Sequence, residues 1–191
     1  MRHLGLDLSL TGSGILVYDA AKHAILHKEV AGYGLEDDLP ESHRLARMIN
    51  ITKRVVAVVT KYEPQTVTIE GPAYGKFKQT GGRLFQLGGI YYVVATQVKL
   101  CFPLLTPIPV GAPTARLAVL GRGMPPKGVK GEAVKKWVKD ELWVRHGLDA
   151  EQHDCNDALV LAIWRSIIEK DAHVPPPRDK QLSLLGAGCA D

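Results

Sequence analysis

The chain opens with RHLGLDLSLTGSG, residues 2–14, in which a short apolar strand ends on one carboxylate, Asp7. A small polar turn, from Thr11 to Gly14, follows the acid. This order of residues fixes an acid at a strand end and leaves open backbone beside it, because glycine has no side chain. We therefore take Asp7 as the first candidate functional residue.

Two chemistries use an acid that is followed by a glycine-containing turn. Asp7 could coordinate a divalent metal for phosphodiester cleavage, or the turn could hold the phosphates of a nucleotide, as in actin-like and sugar-kinase ATPases. Such an ATPase needs a second phosphate-binding turn of the Asp-Gly-Gly or Asp-x-Gly type, and the sequence contains none. The chain is also short for a two-lobed kinase. The metal interpretation is favoured, with the turn as space for a DNA strand that approaches Asp7.

Composition indicates a globular protein. The 191 residues are 46% apolar and 23% charged, which is enough to build one ordinary core. No signal-peptide pattern is visible, and the longest apolar stretch, residues 88–98, is too short to cross a bilayer. Cys101, Cys155 and Cys189 are widely spaced and are expected to be free thiols. We expect a cytoplasmic protein with no membrane partner.

Hydrophobic periodicity and turn residues predict an α/β domain with a mixed five-stranded sheet flanked by helices. The predicted strands are residues 2–8, 15–18, 23–31, 66–70 and 104–110, and the predicted helices are 40–64, 82–100, 113–120, 132–146 and 154–170. The first three strands form an antiparallel meander. One domain covers residues 1–170, and the Pro-rich segment 171–191 is a flexible tail.

Acids recur at the ends of the predicted elements. Glu70 ends the strand TVTIE, and Asp154 and Asp157 lie three residues apart on one face at the start of the last helix. An Asp in a first helical turn is alone explained by capping. Four acids at one sheet edge would instead repel one another unless cations were present. Carboxylates suit Mg²⁺ or Mn²⁺, and two ions per site could cleave a phosphodiester without a nucleophilic side chain.

Basic residues are concentrated between residues 116 and 139. That segment contains seven Lys and Arg residues against Glu132 and no other acid before Asp140. A solvated helix face is the common explanation of such a run. A surface that contacts phosphates is the alternative, and the net charge of +4 permits it.

Four motifs occur in an order that resembles the RuvC family of Holliday-junction resolvases. They are GLDLSLTGSG at the first strand, TIEGPAYG at the fourth, T-A-R-x4-G-R-G at residues 114–123 and DCNDALVLA at the last helix. The resemblance covers about residues 1–170. It implies an RNase H-like homodimer that cuts two opposed strands of a four-way DNA junction with magnesium or manganese. It also implies four metal-binding, catalytic carboxylates, which by position are Asp7, Glu70, Asp154 and Asp157.

The resemblance further implies residues that bind DNA. Arg116 matches a basic residue five positions before the glycine that opens a basic loop, and Lys130 or Lys127 matches a lysine at the next helix start. The whole set of DNA-binding candidates is Tyr74, Lys76, Phe77, Arg116, Arg122, Lys127 and Lys130. Tyr74, with Phe77 as its rival, would act on the central bases of the junction. Some family members carry His three residues before the final Asp, so His153, one position away, is a candidate for assisting at the site.

Two interaction surfaces are predicted. The second helix, with its Gly88-Gly89 pair and with Leu84, Leu87, Tyr91 and Val94, is a candidate dimer seam, although burial inside the monomer competes as an explanation. The tail segment 181–185, QLSLL, resembles the peptide by which bacterial repair proteins bind the sliding clamp, and packing of its leucines on the domain is the alternative. A broader RNase H-like nuclease that cuts forks, flaps or other branched DNA remains the competing function.

Overall fold

A mixed five-stranded sheet with helices on both faces forms the protein in the computed structural model, which describes residues 1–32, 41–71 and 81–170. The strands are β1 (Arg2–Asp7), β2 (Ser13–Asp19), β3 (Ala24–Ala31), β4 (Thr66–Glu70) and β5 (Ile108–Val110). The helices are α1 (Glu41–Tyr62), α2 (Gly81–Cys101), α3 (Ala112–Leu120), α4 (Glu132–His146) and α5 (His153–Ile168). This architecture confirms the predicted fold class.

The sheet order is β3-β2-β1-β4-β5, so β1 lies at the centre. β1 and β2 pair antiparallel, as do β2 and β3, which confirms the meander. β4 runs parallel to β1, with Leu6 opposite Ile69, and β5 runs parallel to β4. Because β1 and β4 are parallel and in this register, their final residues, Asp7 and Glu70, lie side by side at the same edge.

Each face of the sheet has its own apolar core. Leu4 and Leu6 of β1 and Ile69 of β4 pack with α1 and α2 on one face. The alternate residues, such as Leu16 of β2, face α3, α4 and α5 on the other. Since side chains alternate along a strand, Asp7 and Glu70 lie on the α5 face of the sheet.

α5 approaches the sheet closely where β1 and β2 carry glycines. A Cβ added to Gly5 would lie 1.9 Å from the carbonyl oxygen of Ala158, and one added to Gly14 would lie 2.0 Å from that of Asp154. No side chain fits at such distances, so these two glycines let the α5 backbone contact the strands directly. This contact places the first turn of α5 at the strand ends.

Several element boundaries differ from the predictions. The fifth strand begins at Ile108 and not at Leu104, which is 99% exposed. Gly88 and Gly89 of α2 have no close backbone neighbour from another element among the described residues. An added Cβ would meet nothing within 4 Å at Gly88 and only a Met48 side-chain atom at Gly89. The predicted tail, with its 181–185 segment, lies outside the described residues.

No helix in the described part of the chain is long and apolar enough to cross a membrane.

Gly5→Ala tests the contact between α5 and the sheet. We expect the free energy of unfolding to fall by about 1–3 kcal/mol or more, because the new methyl group collides with helix backbone and not with a movable side chain. Urea denaturation measures this loss. Gly111→Ala is the matched control, since the nearest atom to its added Cβ would be 3.8 Å away. An equal loss in both variants would contradict the close contact.

Candidate active site

Asp7 and Glu70 form the strand half of the site. Both carboxyl groups lie on the α5 face at the sheet edge, within hydrogen-bonding reach of each other. A hydrogen bond between two carboxyl groups requires a proton on one of them. The two acids are therefore close enough to share a proton.

The first turn of α5 supplies the other half of the site. Asp154 and Asp157 are partly buried there, and the charges of both act on Asp7. Asn156, which lies between them, is fully buried, and its side-chain oxygen accepts a 2.9 Å hydrogen bond from the Ala150 amide. This bond ties the start of the helix to the preceding loop. The structure thus brings all four predicted acids together.

The glycine turn has a different role from the one predicted. A Cβ added to Gly12 would lie 2.7 Å from Oδ2 of Asp154, and Gly14 contacts the α5 backbone. The turn is also closed on itself, because Ser9 and Ser13 accept hydrogen bonds from the Gly12 and Ser9 amides at 2.9 and 3.0 Å. The prediction that these glycines leave space for a DNA strand is therefore wrong, since α5 fills that space. The two amides are likewise not free to bind a nucleotide phosphate.

Burial and mutual repulsion raise the pKa of both strand acids. The pKa of Asp7 lies well above its ordinary value, because the group is desolvated and because Glu70 and Asp157 carry like charges nearby. Burial and the charge of Asp157 also raise the pKa of Glu70, although Arg116 opposes the shift. Bringing these acids together therefore opposes their ionisation.

Two basic side chains neutralise the acids of α5. Arg116 of α3 donates a 2.8 Å hydrogen bond from Nη2 to Oδ1 of Asp157, and both side chains are about 15% exposed. Lys135 of α4 lies with Nζ 3.5 Å from Oδ1 of Asp154. Within the described residues, no group of three or more His, Cys, Asp or Glu side chains is arranged to hold a metal ion as it stands.

The donor set nevertheless fits a hard divalent cation. The site offers oxygen ligands from four carboxylates, which are the donors that Mg²⁺ and Mn²⁺ prefer. Repulsion between neighbouring acids contributes to the raised pKa of Asp7 and of Glu70, and a cation would offset that repulsion. Asp7, Glu70, Asp154 and Asp157 are the residues that would hold such ions.

The predicted DNA-binding residues fall into three groups. Arg116 lies inside the acid cluster and contacts Asp157. The side chains of Arg122, Lys127 and Lys130 are exposed on the segment between α3 and α4. Residues 74, 76 and 77 lie outside the described residues. His153 is exposed at the first position of α5, and its assisting role stays a prediction.

Lys135 is a site residue that sequence reasoning missed. It belongs to the basic run between residues 116 and 139, where seven residues share the same signal. Only the packing of α4 against α5 distinguishes it from its neighbour Lys136, which is exposed. The basic run therefore predicts that the segment is functional, but it does not distinguish Lys135 from the other basic residues.

Comparison with solved structures identifies the fold. RuvC of Thermus thermophilus superimposes with a TM-score of 0.66 and 19% sequence identity, over 93% of this chain and 99% of that one. The same organism's RuvC in complex with a Holliday junction substrate gives a TM-score of 0.67 and 18% identity, over 92% and 99% of the two chains. The chain has the RuvC fold.

A more distant structure shares this fold. The yeast mitochondrial Holliday junction resolvase Ydc2 matches with a TM-score of 0.50 and 12% identity, over 88% of this chain and 80% of that one. No family model matches the chain, and no curated protein does. The resemblance to RuvC that the four motifs indicate is therefore confirmed in the fold.

Asp7→Asn tests the repulsion within the acid cluster. In buffer with a chelator, we expect the melting temperature to rise by a few degrees, because one of several crowded negative charges is removed from a desolvated position. The gain should shrink as the pH falls, since Asp7 in the parent protein then takes up a proton and the repulsion disappears. Thermal denaturation between pH 8 and pH 5 measures the difference.

Asp140→Asn is the control for that comparison. It removes the same charge from an exposed position of α4. A melting temperature that rises equally in both variants would show that net charge, and not the cluster, sets the effect.

Proposed function

We propose that the protein is a metal-dependent endonuclease that resolves four-way DNA junctions by paired symmetric nicks. One observation carries the proposal: four carboxylates from β1, β4 and α5 converge at one sheet edge in a chain with the RuvC fold. One of the matching structures is a RuvC bound to a Holliday junction substrate. Both the acids and the architecture support the same chemistry.

The acids would act by holding cations and ordering the scissile phosphate. Asp7, Glu70, Asp154 and Asp157 would bind two Mg²⁺ or Mn²⁺ ions. When bound, these ions supply an activated water and stabilise the leaving oxygen of the phosphodiester. Bound cations would favour the ionised forms of Asp7 and Glu70, because their charge would offset the repulsion that contributes to the raised pKa of both acids.

Basic residues beside the acids would hold the DNA backbone. The Nε of Arg116 is buried and has no hydrogen-bond partner among the described residues, so this guanidinium keeps an unused donor within the site. Arg122, Lys127 and Lys130 extend positive charge outward along the exposed segment. Such contacts bind phosphates without reading bases, which suits recognition of DNA shape.

We also propose a homodimer, because two cuts related by a two-fold axis require two sites related in the same way. The exposed side of α2 is the candidate seam, although one of the predicted residues, Val94, does not lie on it. Val94 is fully buried in the core, whereas Tyr92 and Leu100 are 62% and 70% exposed. Gly88 leaves open space on the same helix, and the side chains of residues 84 and 87 lie outside the described set.

A cleavage assay tests the proposed function. Labelled four-way junction, fork, flap and linear duplex are each incubated with Mg²⁺ and the protein. We expect paired nicks at symmetric positions of the junction and little cutting of linear duplex. Asp7→Asn should lower the cleavage rate by about two orders of magnitude or more, because metal-ion catalysis supplies several kcal/mol of transition-state stabilisation.

The pattern of products separates the alternatives. Equal cutting of forks, flaps and junctions would favour the broader nuclease. Asp140→Asn should cut at the parental rate, since the exposed Asp140 lies outside the acid cluster. Cleavage that survives Asp7→Asn would contradict the metal site.

Tyr92→Glu tests the dimer seam. A charge at this exposed apolar position should convert a dimer to a monomer at micromolar concentration, because a buried unpaired carboxylate opposes association. Analytical ultracentrifugation measures the mass. Ile168→Glu, at a 52% exposed apolar residue at the end of α5, is the control and should remain dimeric.

A further inference from the structure

Lys135 occupies a position between two carboxylates of different burial. Its Nζ lies 3.5 Å from Oδ1 of Asp154 and 3.6 Å from Oε1 of Glu132. The Asp154 side chain is 28% exposed, whereas that of Glu132 is 80% exposed. The ammonium therefore has one partner inside the site and one at the surface.

The orientation of Asp154 makes Lys135 a competitor for any cation. Oδ2 of Asp154 packs over Gly12, where an added Cβ would lie only 2.7 Å away. The other oxygen, Oδ1, is the one that contacts Lys135. A divalent cation bound at that oxygen would meet the positive charge of the ammonium, so the two compete.

Release of Lys135 from Asp154 leaves it with a partner. Glu132 is three residues earlier on α4, and pairs at this spacing face each other on a helix. A lysine side chain is a flexible point charge, so it can exchange one oxygen for another without a fixed geometry. Arg116, the other basic residue of the site, is less free to exchange its partner. It and Asp157 are both about 15% exposed and are only 2.8 Å apart.

Lys135 also lies where it could contact DNA. It follows, within the first turn of α4, the exposed segment that carries Lys127 and Lys130. A released ammonium would add to this row of positive charge at the point closest to the acids. Phosphate oxygens are the ligands that such a charge binds.

We propose that Lys135 is an exchangeable counter-ion of the active site. It holds Asp154 in the metal-free protein, and it turns to a phosphate of the DNA strand when Asp154 binds a divalent cation. This inference rests on the proposed function, because it assigns a step of substrate binding to that same site.

Lys135→Gln tests the competition in the absence of DNA. We expect Mn²⁺ to bind about two- to fivefold more tightly than to the parent protein, the range for loss of one partly exposed ion pair. Isothermal titration calorimetry measures the affinity. Lys136→Gln removes the same charge from the next, exposed position and should bind Mn²⁺ as the parent does. Equal affinities in Lys135→Gln and the parent would overturn the competition.

Asp154→Asn provides a background in which the gain must vanish. If Lys135→Gln still tightens Mn²⁺ binding in the Asp154→Asn background, the ammonium affects Mn²⁺ binding without pairing with Asp154. The proposed pairing is then wrong. The parent protein is expected to bind Mn²⁺ in the same titration. If it does not, both this inference and the metal dependence of the proposed function fail.

Junction binding tests the second half of the exchange. With Ca²⁺ as the probe cation, Lys135→Gln should bind a four-way junction several-fold more weakly than Lys136→Gln does. With EDTA the two variants should bind the junction equally. The Lys135 side chain that remains in Lys136→Gln is then held by Asp154 and does not contact the DNA. An equal deficit in both buffers would overturn the exchange. Junction binding of this kind without cleavage by the parent in Mg²⁺ would refute the proposed function alone.

Discussion

The rest of the structure depends on the close contact of α5 with β1 and β2. Gly5 and Gly14 have no side chains, and the backbone of α5 takes the space that side chains would fill. This contact fixes the depth at which the helix crosses the sheet and the position of its first turn. Asp154 and Asp157 consequently reach the end of β1, where Asp7 lies.

The contact creates an electrostatic cost that the structure offsets in two ways. Arg116 and Lys135 neutralise the acids of α5, and the raised pKa of Asp7 favours uptake of a proton there. Each way of reducing the repulsion is reversible, since an ion pair can exchange and a proton can leave. A buried apolar pair could not be exchanged in this manner. The acid cluster is therefore maintained by contacts that can be exchanged.

The strands and the acids could be predicted because their signals are local. Asp7 and Glu70 each end an apolar run, and Asp154 and Asp157 share a helical face, so short windows of sequence reveal them. The fifth strand was harder to delimit. It is a three-residue edge strand that follows Pro107, whose nitrogen cannot donate a hydrogen bond to a neighbouring strand. The apolar composition of the preceding residues predicts a longer strand that begins at Leu104.

Contacts between distant segments could not be predicted in this way. The glycines of the opening turn face α5, which is more than a hundred residues away, and nothing near Gly14 in the sequence indicates that neighbour. Lys135 is distinguished from Lys136 only by the side of α4 that packs against α5. Both features depend on packing between elements that are distant in the sequence. The local sequence pattern does not indicate which elements pack together.

The distribution of the acids along the chain has a consequence for synthesis. Asp7 ends β1 and is synthesised before Asp157, which lies near the start of α5, the last described helix. The acid cluster cannot assemble until α5 has been made and has packed on the sheet. A nascent or truncated chain that lacks α5 therefore lacks both of its acids and the element that covers Gly5 and Gly14. The full set of carboxylates is therefore assembled only when the fold is complete.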